Sequence, residues 1–558
     1  MTLDEATPNG DLNPYRDAET ASGMTRRRLL AIGAQGGLAI GAGSLLAACG
    51  ASGSSGTTKA ATAASGTAVR GGTLKVGMIT GGSAETLNPG AAGPWVDILR
   101  VYQLYDFLFD PGFGQDFTAL VPRLATSAEP NHDASVWTIK LRDGVHWHDG
   151  KPFSADDVVW TIGTWSNVAN YANSYVAPFI DFKRVRKRGR LEVEIPLLRS
   201  AAEFPAITTV YSLAIVQNGA TPKSFSTNPV GTGPFKYVSF QPGSQSVFAR
   251  NPDYWDGANT RPYVDKVIVT SSFQDETSRY NALQGGEIDV SGVIPGTFAR
   301  QAAGSSINLI NSPSGSGQCF TMRCDRGPFA DVRVRQAMKL LCNRQALIDG
   351  VFPGYAAVGN DVEGRFTKYY DMSLHPTYDV EKAKSLLKAA GQQDLNVTLQ
   401  TSNASPGFTQ AATLYAQQAA QAGVKINVQT LSPSVYYTSA GGYLGRAFGQ
   451  DDGNSWASMM LVAATYFVKG CPYDETGWTT QPGGGDQALV SQAIGELNPS
   501  KAQELWTELQ KKWQSEDGHL IWSWANFTDA AANKIHGLSG GIAQPLNNFN
   551  LVDAWIAE

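Results

Sequence analysis

His146 and His148, one residue apart, are the first side chains whose type and spacing could do chemistry. Alternate residues of a strand point to one face and histidine is the commonest metal ligand, so the pair could fill two coordination positions. A third ligand is not evident nearby, and neither a metal nor any other cofactor is expected. Gly537-Leu538-Ser539-Gly540-Gly541 satisfies the G-x-S-x-G pattern of a hydrolase nucleophile elbow. That fold needs a histidine after the serine, whereas the last histidine is His536, so the stretch reads as a loop. No nucleophile, base and oxyanion set emerges, and the chain is not expected to be an enzyme. Five cysteines in 558 residues, without C-x-x-C or metal-finger spacing, exclude a disulfide-dense fold. Spacing leaves open a bridge from Cys471 to Cys319 or Cys324, while Cys342, on a helical face with Met338 and Leu341, is expected to be buried and free.

Cys49 stands apart from the other four. Leu46-Ala47-Ala48-Cys49 has the form of a bacterial lipobox, whose cysteine sulfur takes a diacylglyceryl group. Upstream, Thr25-Arg26-Arg27-Arg28-Leu29-Leu30 precedes a glycine-rich apolar run from Ala31 to Leu46, the pattern of a twin-arginine signal peptide. That run is too short and too glycine-rich for a spanning helix. Residues 1–48 therefore read as a twin-arginine lipoprotein signal peptide. Residues 49–72 read as the lipidated cysteine and a flexible Gly/Ala/Ser/Thr tether. The mature chain is expected to be exported and lipid-anchored on the outer side of the cytoplasmic membrane, in the periplasm or at the cell surface.

The length exceeds one hydrophobic core, so two or three domains are expected. Charged residues make up 17% and apolar residues 42%, a globular balance, and a net charge of −5 offers no basic field for nucleic acid. Trp137, Ile139 and Leu141 alternate with Thr138, Lys140 and Arg142 as in a half-buried strand. Turns at Asp143-Gly144 and Asp149-Gly150 should bracket a second strand, and Ser154 with Asp157 should box the start of a helix. Asp379 is the expected N-cap of a helix ended by Gly391, followed by a strand from Asn396 to Gln400. A helix across Ala411 to Ala422 and a strand from Val424 to Leu431 complete a β-α-β unit. The basic run 183–190 reads as a solvated hairpin before a strand at Leu191 to Ile195, more than as a headgroup-binding patch.

Four blocks in fixed order carry a resemblance. The first is Pro122-Arg123-Leu124-Ala125 with Trp137–Val145 and His148–Val158, and the second runs from Val230-Gly231-Thr232-Gly233-Pro234-Phe235 through Arg250–Trp255 to Gly285–Asp289. Pro328–Ala337 and Tyr378–Lys384 follow, with Asn548–Trp555 at the end. The chain resembles the peptide- and nickel-binding proteins of ABC importers, the large extracellular solute-binding type. The resemblance implies an α/β, two-lobed periplasmic-binding-protein-like fold with a hinge and an inserted small domain, and a ligand held between the lobes. It divides the chain into lobe 1 (73–100, 218–312 and 522–558), an inserted domain of lobe 1 (101–217) and lobe 2 (313–521).

It further implies a monomer that captures a small solute, most readily a peptide, and delivers it to an ABC permease complex. Oligosaccharide binding within the same family is the alternative, because tryptophans stack on sugar rings. In peptide-binding relatives an aspartate after an arginine-containing strand pairs with the ligand amine. Arg446-Ala447-Phe448-Gly449-Gln450-Asp451-Asp452 occupies that place, and Asp451 and Asp452 are both candidates. Phe448, where a tryptophan is commoner, and Trp95, Trp456, Trp522 and Trp524 complete the expected ligand contacts.

Overall fold

The structure is a computed structural model that describes residues 67–557 except 112–119, 258–260, 295–297, 299–301, 303–305, 403–404, 406, 437–441 and 454. The leader, Cys49 and all but the last residues of the expected tether lie outside the described residues. Among the described residues no helix is long and apolar enough to cross a membrane.

Strand Thr73–Ile79 forms because Leu74, Val76 and Met78 alternate into an apolar core. It pairs in parallel with Lys266–Phe273, which is followed outward by Gln245–Arg250 and Phe235–Gln241, and on its other side with Val290–Ser291. From there the nine-stranded sheet continues antiparallel through His519–Ala532 and Ile307–Met322 to Phe448–Asp452, with Ala356–Val358 also paired to His519–Ala532. The two long strands, of 14 and 16 residues, run through both halves of the sheet. Their ladder slips register between Ser312 and Ser316 and again between Gln318 and Cys319. Such bulges bend a strand locally without ending its pairing.

Three large apolar cores lie around this sheet. One packs the 73–107 and 214–269 segments with residues 531–554, and a second packs helices Val332–Leu340, Arg344–Val351 and Phe408–Ala420 against Phe320, Phe448 and Trp522. The third starts in the 101–217 segment, around the four-stranded sheet Ala125–Pro130, Val136–Leu141, Glu192–Pro196, Arg186–Gly189. It continues without a break into Trp456–Trp513. Helix Ala155–Trp165 opens with the Ser154/Asp157 capping box, and Asp379 caps Val380–Ala389 through the Lys382 N–H at 2.9 Å. Gly391 has φ +69°, and Asn396–Ser402 pairs in parallel with Lys425–Leu431.

Residues 145–148 do not form the expected second strand: only His146 bridges Pro152. His148 is instead engaged with the backbone of 231–233. The Gly231 N–H donates to its Nδ1 at 3.2 Å and its Nε2 donates to the Gly233 carbonyl at 3.0 Å. Burial pulls its pKa down to about 4, so the ring is neutral at pH 7. The basic run is a hairpin on the surface of the inserted segment. Lys187 pairs with Asp156, Arg190 with Asp143, and Arg186 and Arg188 with Glu194. Gly537–Gly541 is a loop, with Ser539 hydrogen-bonded to Asn547. Cys319, Cys324, Cys342 and Cys471 are buried thiols, and no disulfide joins them.

Candidate functional site

Phe448–Asp452 pairs antiparallel with Ile307–Met322, setting Asp452 opposite Gln318, Asp451 opposite Cys319 and Phe448 opposite Met322. Directly opposed residues share a face and neighbours along a strand alternate, so the two adjacent aspartates point to opposite faces. Asp452 lies on the face of Phe448 and Phe320, where it accepts from the Ser405 hydroxyl at 2.9 Å. Asp451 lies on the other face with Cys319, and its oxygens accept from the Tyr443 hydroxyl and from the Asp452 N–H at 2.9 Å. Tyr443 also reaches Glu475 at 2.7 Å, and a phenol has one proton, so it donates to one of these carboxyls at a time.

Glu363 completes the cluster. Its side chain stands over two glycines: a Cβ at Gly453 would overlap the carboxyl, and one at Gly317 would lie 3.0 Å from Oε1. Glu363 is 3% exposed, and its Oε2 has no hydrogen-bond partner among the described residues. Burial first, then the charges of Asp451 and Asp452, hold its pKa well above the ordinary carboxylate range. The same two causes, burial and Asp451, raise Asp452 to about 7. The Cys319 thiol is pushed up by burial and by the charges of Asp451, Glu475, Glu363 and Asp452. None of Asp451, Asp452 and Glu363 has an ion pair among the described residues.

Arg365 follows two residues later, its carbonyl oxygen 3.1 Å from where a Cβ of Gly315 would stand. The 363–365 segment thus tracks the bulged Gly315–Gly317 stretch of the long strand. The Arg365 guanidinium lies 4.7 Å from the Phe366 ring centroid and 3.4 Å from the Ser314 carbonyl, with no described carboxylate paired to it. Burial lowers its pKa, the sign of a partly desolvated cation. Beside it the Ser455 hydroxyl accepts from the Gly315 N–H at 2.8 Å and donates to the Ile542 carbonyl at 2.7 Å, tying Ser455 to the long strand and to the C-terminal segment.

The expected aromatic contacts divide. Trp524 is edge-on to Tyr370 at 6.4 Å and borders Gly317 beside Glu363. Trp456 packs against Tyr175 and Tyr466, and its buried Nε1–H has no hydrogen-bond partner. Trp95, half-buried at the start of helix Trp95–Leu104, meets Phe527 edge-on at 5.8 Å. The other two pack against core rings. Phe448 is 1% exposed and sits among Phe320, Phe329 and Tyr415, and Trp522 stacks on Phe352 at 5.5 Å. The period-two alternation of the strand turns Phe448 away from Asp451. Glu363 and Arg365 escaped sequence reasoning, because only the fold brings them to Gly315, Gly317 and Gly453.

Comparison with known proteins accords with this architecture. The chain is 31% identical over 339 residues to the dipeptide-binding protein of Escherichia coli strain K12, a match spanning 56% of this chain and 62% of that protein. The structure of the ABC transporter substrate-binding protein CtaP from Listeria monocytogenes superposes with a TM-score of 0.74 at 24% identity, covering 88% of this chain and all of that one. Helicobacter pylori DppA in complex with the peptide STSA gives a TM-score of 0.73 at 20% identity, over 88% of this chain and 99% of that one. Both likenesses bear out the two-lobed α/β periplasmic-binding-protein fold. Residues 119–462 match the family described as bacterial extracellular solute-binding proteins, family 5 Middle, and the chain belongs to that family.

Proposed function

We propose that this chain is the capture component of an ABC importer and takes a short peptide with free amino and carboxyl ends. The observation that carries the reading is the charge order along Gly315–Gly317. Carboxyls without a counter-ion lie at one end, around Asp451 and Glu363, and Arg365 without a carboxylate lies at the other. A zwitterion laid along the strand complements both, and desolvated charge-assisted hydrogen bonds are the strong ones. Asp451 takes the ammonium and Arg365 the carboxylate, with Trp456 and Trp524 beside the chain.

The reading extends to the residues beyond the site. Lobe 1 (73–100, 218–312, 522–558) with its insert (101–217) and lobe 2 (313–521) close over the peptide by bending at the register slips of the two long strands. A ligand touching both lobes favours the closed state. The protein leaves the cell by the twin-arginine route, is anchored through lipidated Cys49, and delivers its cargo to a membrane permease as a monomer.

Calorimetry tests the amine anchor. Asp451→Asn should weaken a free-amine dipeptide at least tenfold, the loss of about 2 to 5 kcal/mol seen when a buried charge partner is removed, and hardly affect its N-acetylated form. Unchanged affinity for the free-amine peptide, or preference for a neutral oligosaccharide, overturns the reading.

A further inference from the structure

Glu363 is more than an amine anchor needs. One α-ammonium neutralises one carboxylate, and Asp451 already lies on the same face with two hydrogen bonds that leave acceptor positions open. Glu363 adds a second carboxyl, 3% exposed, with an oxygen that meets no donor among the described residues. Leaving a buried polar group unmade costs about 1–3 kcal/mol, so an unpartnered carboxyl oxygen in this position points to a donor that arrives with the ligand. The glycines matter here, since any side chain at Gly453 would evict the Glu363 carboxyl and one at Gly317 would crowd it.

The separation of the two carboxyls follows from the strand. Glu363 stands over Gly453, two residues beyond Asp451, so the backbone positions beneath the two carboxyls are about 7 Å apart at 3.3–3.4 Å per residue. The α- and ε-ammonium groups of a lysine, separated by Cα and its flexible four-carbon stem, can span that spacing.

We propose that the site is specific for peptides whose first residue is basic, lysine above all, with the α-ammonium on Asp451 and the side-chain ammonium on Glu363. The proposal rests on the peptide reading above and names the ligand class of that same site. Burial and the neighbouring aspartates raise the pKa of Glu363 in the empty site, so an arriving ammonium favours its ionised form. A lysine-first peptide therefore displaces a proton that a neutral-first peptide does not. Glutamine at 363 would keep the shape of the pocket and remove the charge.

The test is titration calorimetry of the full folded protein with Lys-Ala, norleucyl-Ala and Ala-Lys at pH 7, in two buffers of different ionisation enthalpy. Lys-Ala should bind at least tenfold more tightly than either other peptide, and only its heat should change with the buffer. In Glu363→Gln the ratio of Lys-Ala to norleucyl-Ala affinity should fall to about one, whatever the absolute affinities. Equal binding of the three peptides by the wild type overturns the proposal and leaves the peptide reading standing. A preference that survives Glu363→Gln also overturns it. If none of the three peptides binds, the peptide reading falls and this proposal with it. Should the variant not fold, the wild-type ratio and the buffer dependence decide alone.

Discussion

Arg100 and Asp451 are both buried charged residues, and they differ in what faces them. Arg100, fully buried, has Nη1 at 2.8 Å from Glu85 and 3.1 Å from Asp97, Nε on Ser246 at 2.8 Å and Nη2 on Ser271 at 2.9 Å. All three guanidinium nitrogens donate to the protein itself, through four of its five N–H groups, which makes the cluster an internal fastener. Around Asp451 the sign is repeated instead of balanced, with Glu363, Glu475 and Asp452 as neighbours and hydroxyls as the donors. A buried charge completed by its own chain holds the fold, whereas the carboxyls around Asp451 have no cation facing them among the described residues.

The largest effect should separate these two regions. Arg100→Met strands Glu85 and Asp97 and should cost about 3–5 kcal/mol in urea unfolding. Asp451→Asn strands no cation and should change the stability of the empty protein by less than about 1 kcal/mol. An equally large loss for Asp451→Asn would make the acidic cluster a fastener too.

His148 provides the next measurement. Its pKa is lowered from 6.5 to about 4, so the stability it contributes is present above pH 6.5, where both folded and unfolded rings are neutral. It is lost as pH falls to about 4, up to about 3 kcal/mol at 1.36 kcal/mol per unit. His148→Gln should remove this part of the acid destabilisation, read as a flatter difference curve against wild type between pH 7 and 4.

Glu363 has the opposite sign. Its raised pKa means that stability is complete below the unfolded carboxyl value and declines as pH rises through the folded one. Glu363→Gln should therefore gain about 1 kcal/mol over wild type at pH 8, and the gain should vanish near pH 4. A variant less stable than wild type at pH 8 would show Glu363 to be satisfied after all. Lys187→Ala is the control for ordinary surface charge. Its pair with Asp156 is about half exposed, and its loss should shift unfolding by less than about 0.5 kcal/mol.

What the sequence made legible was local. The Ser154/Asp157 box and the Asp379 cap need only a few neighbouring residues, and both helices begin where those signals stand. The parallel pair at 396–402 and 425–431 followed from periodicity alone. The second strand expected at 145–148 failed because His148 bonds to a backbone more than 80 residues away, which no local pattern encodes. The continuity of the 108–215 core with Trp456–Trp513 was invisible for the same reason. At the site, the strand alternation that separates Asp451 from Phe448 was present in the sequence, whereas Glu363 and Arg365 became visible only through the glycines they cover.

The two long strands have a consequence for how such a molecule moves. Because 307–322 and 519–532 stay paired on both sides of the register slips, the halves of the sheet share one continuous ladder of hydrogen bonds. Opening therefore resembles flexing a leaf spring more than turning a free swivel: the bend is confined to the few residues between Ser312 and Cys319, and its direction is set by the pleat. The peptide groups of that short stretch should exchange their hydrogens readily in the empty protein while those of the ladder on either side stay protected. In a sheet built this way the path of opening is already fixed by the backbone itself.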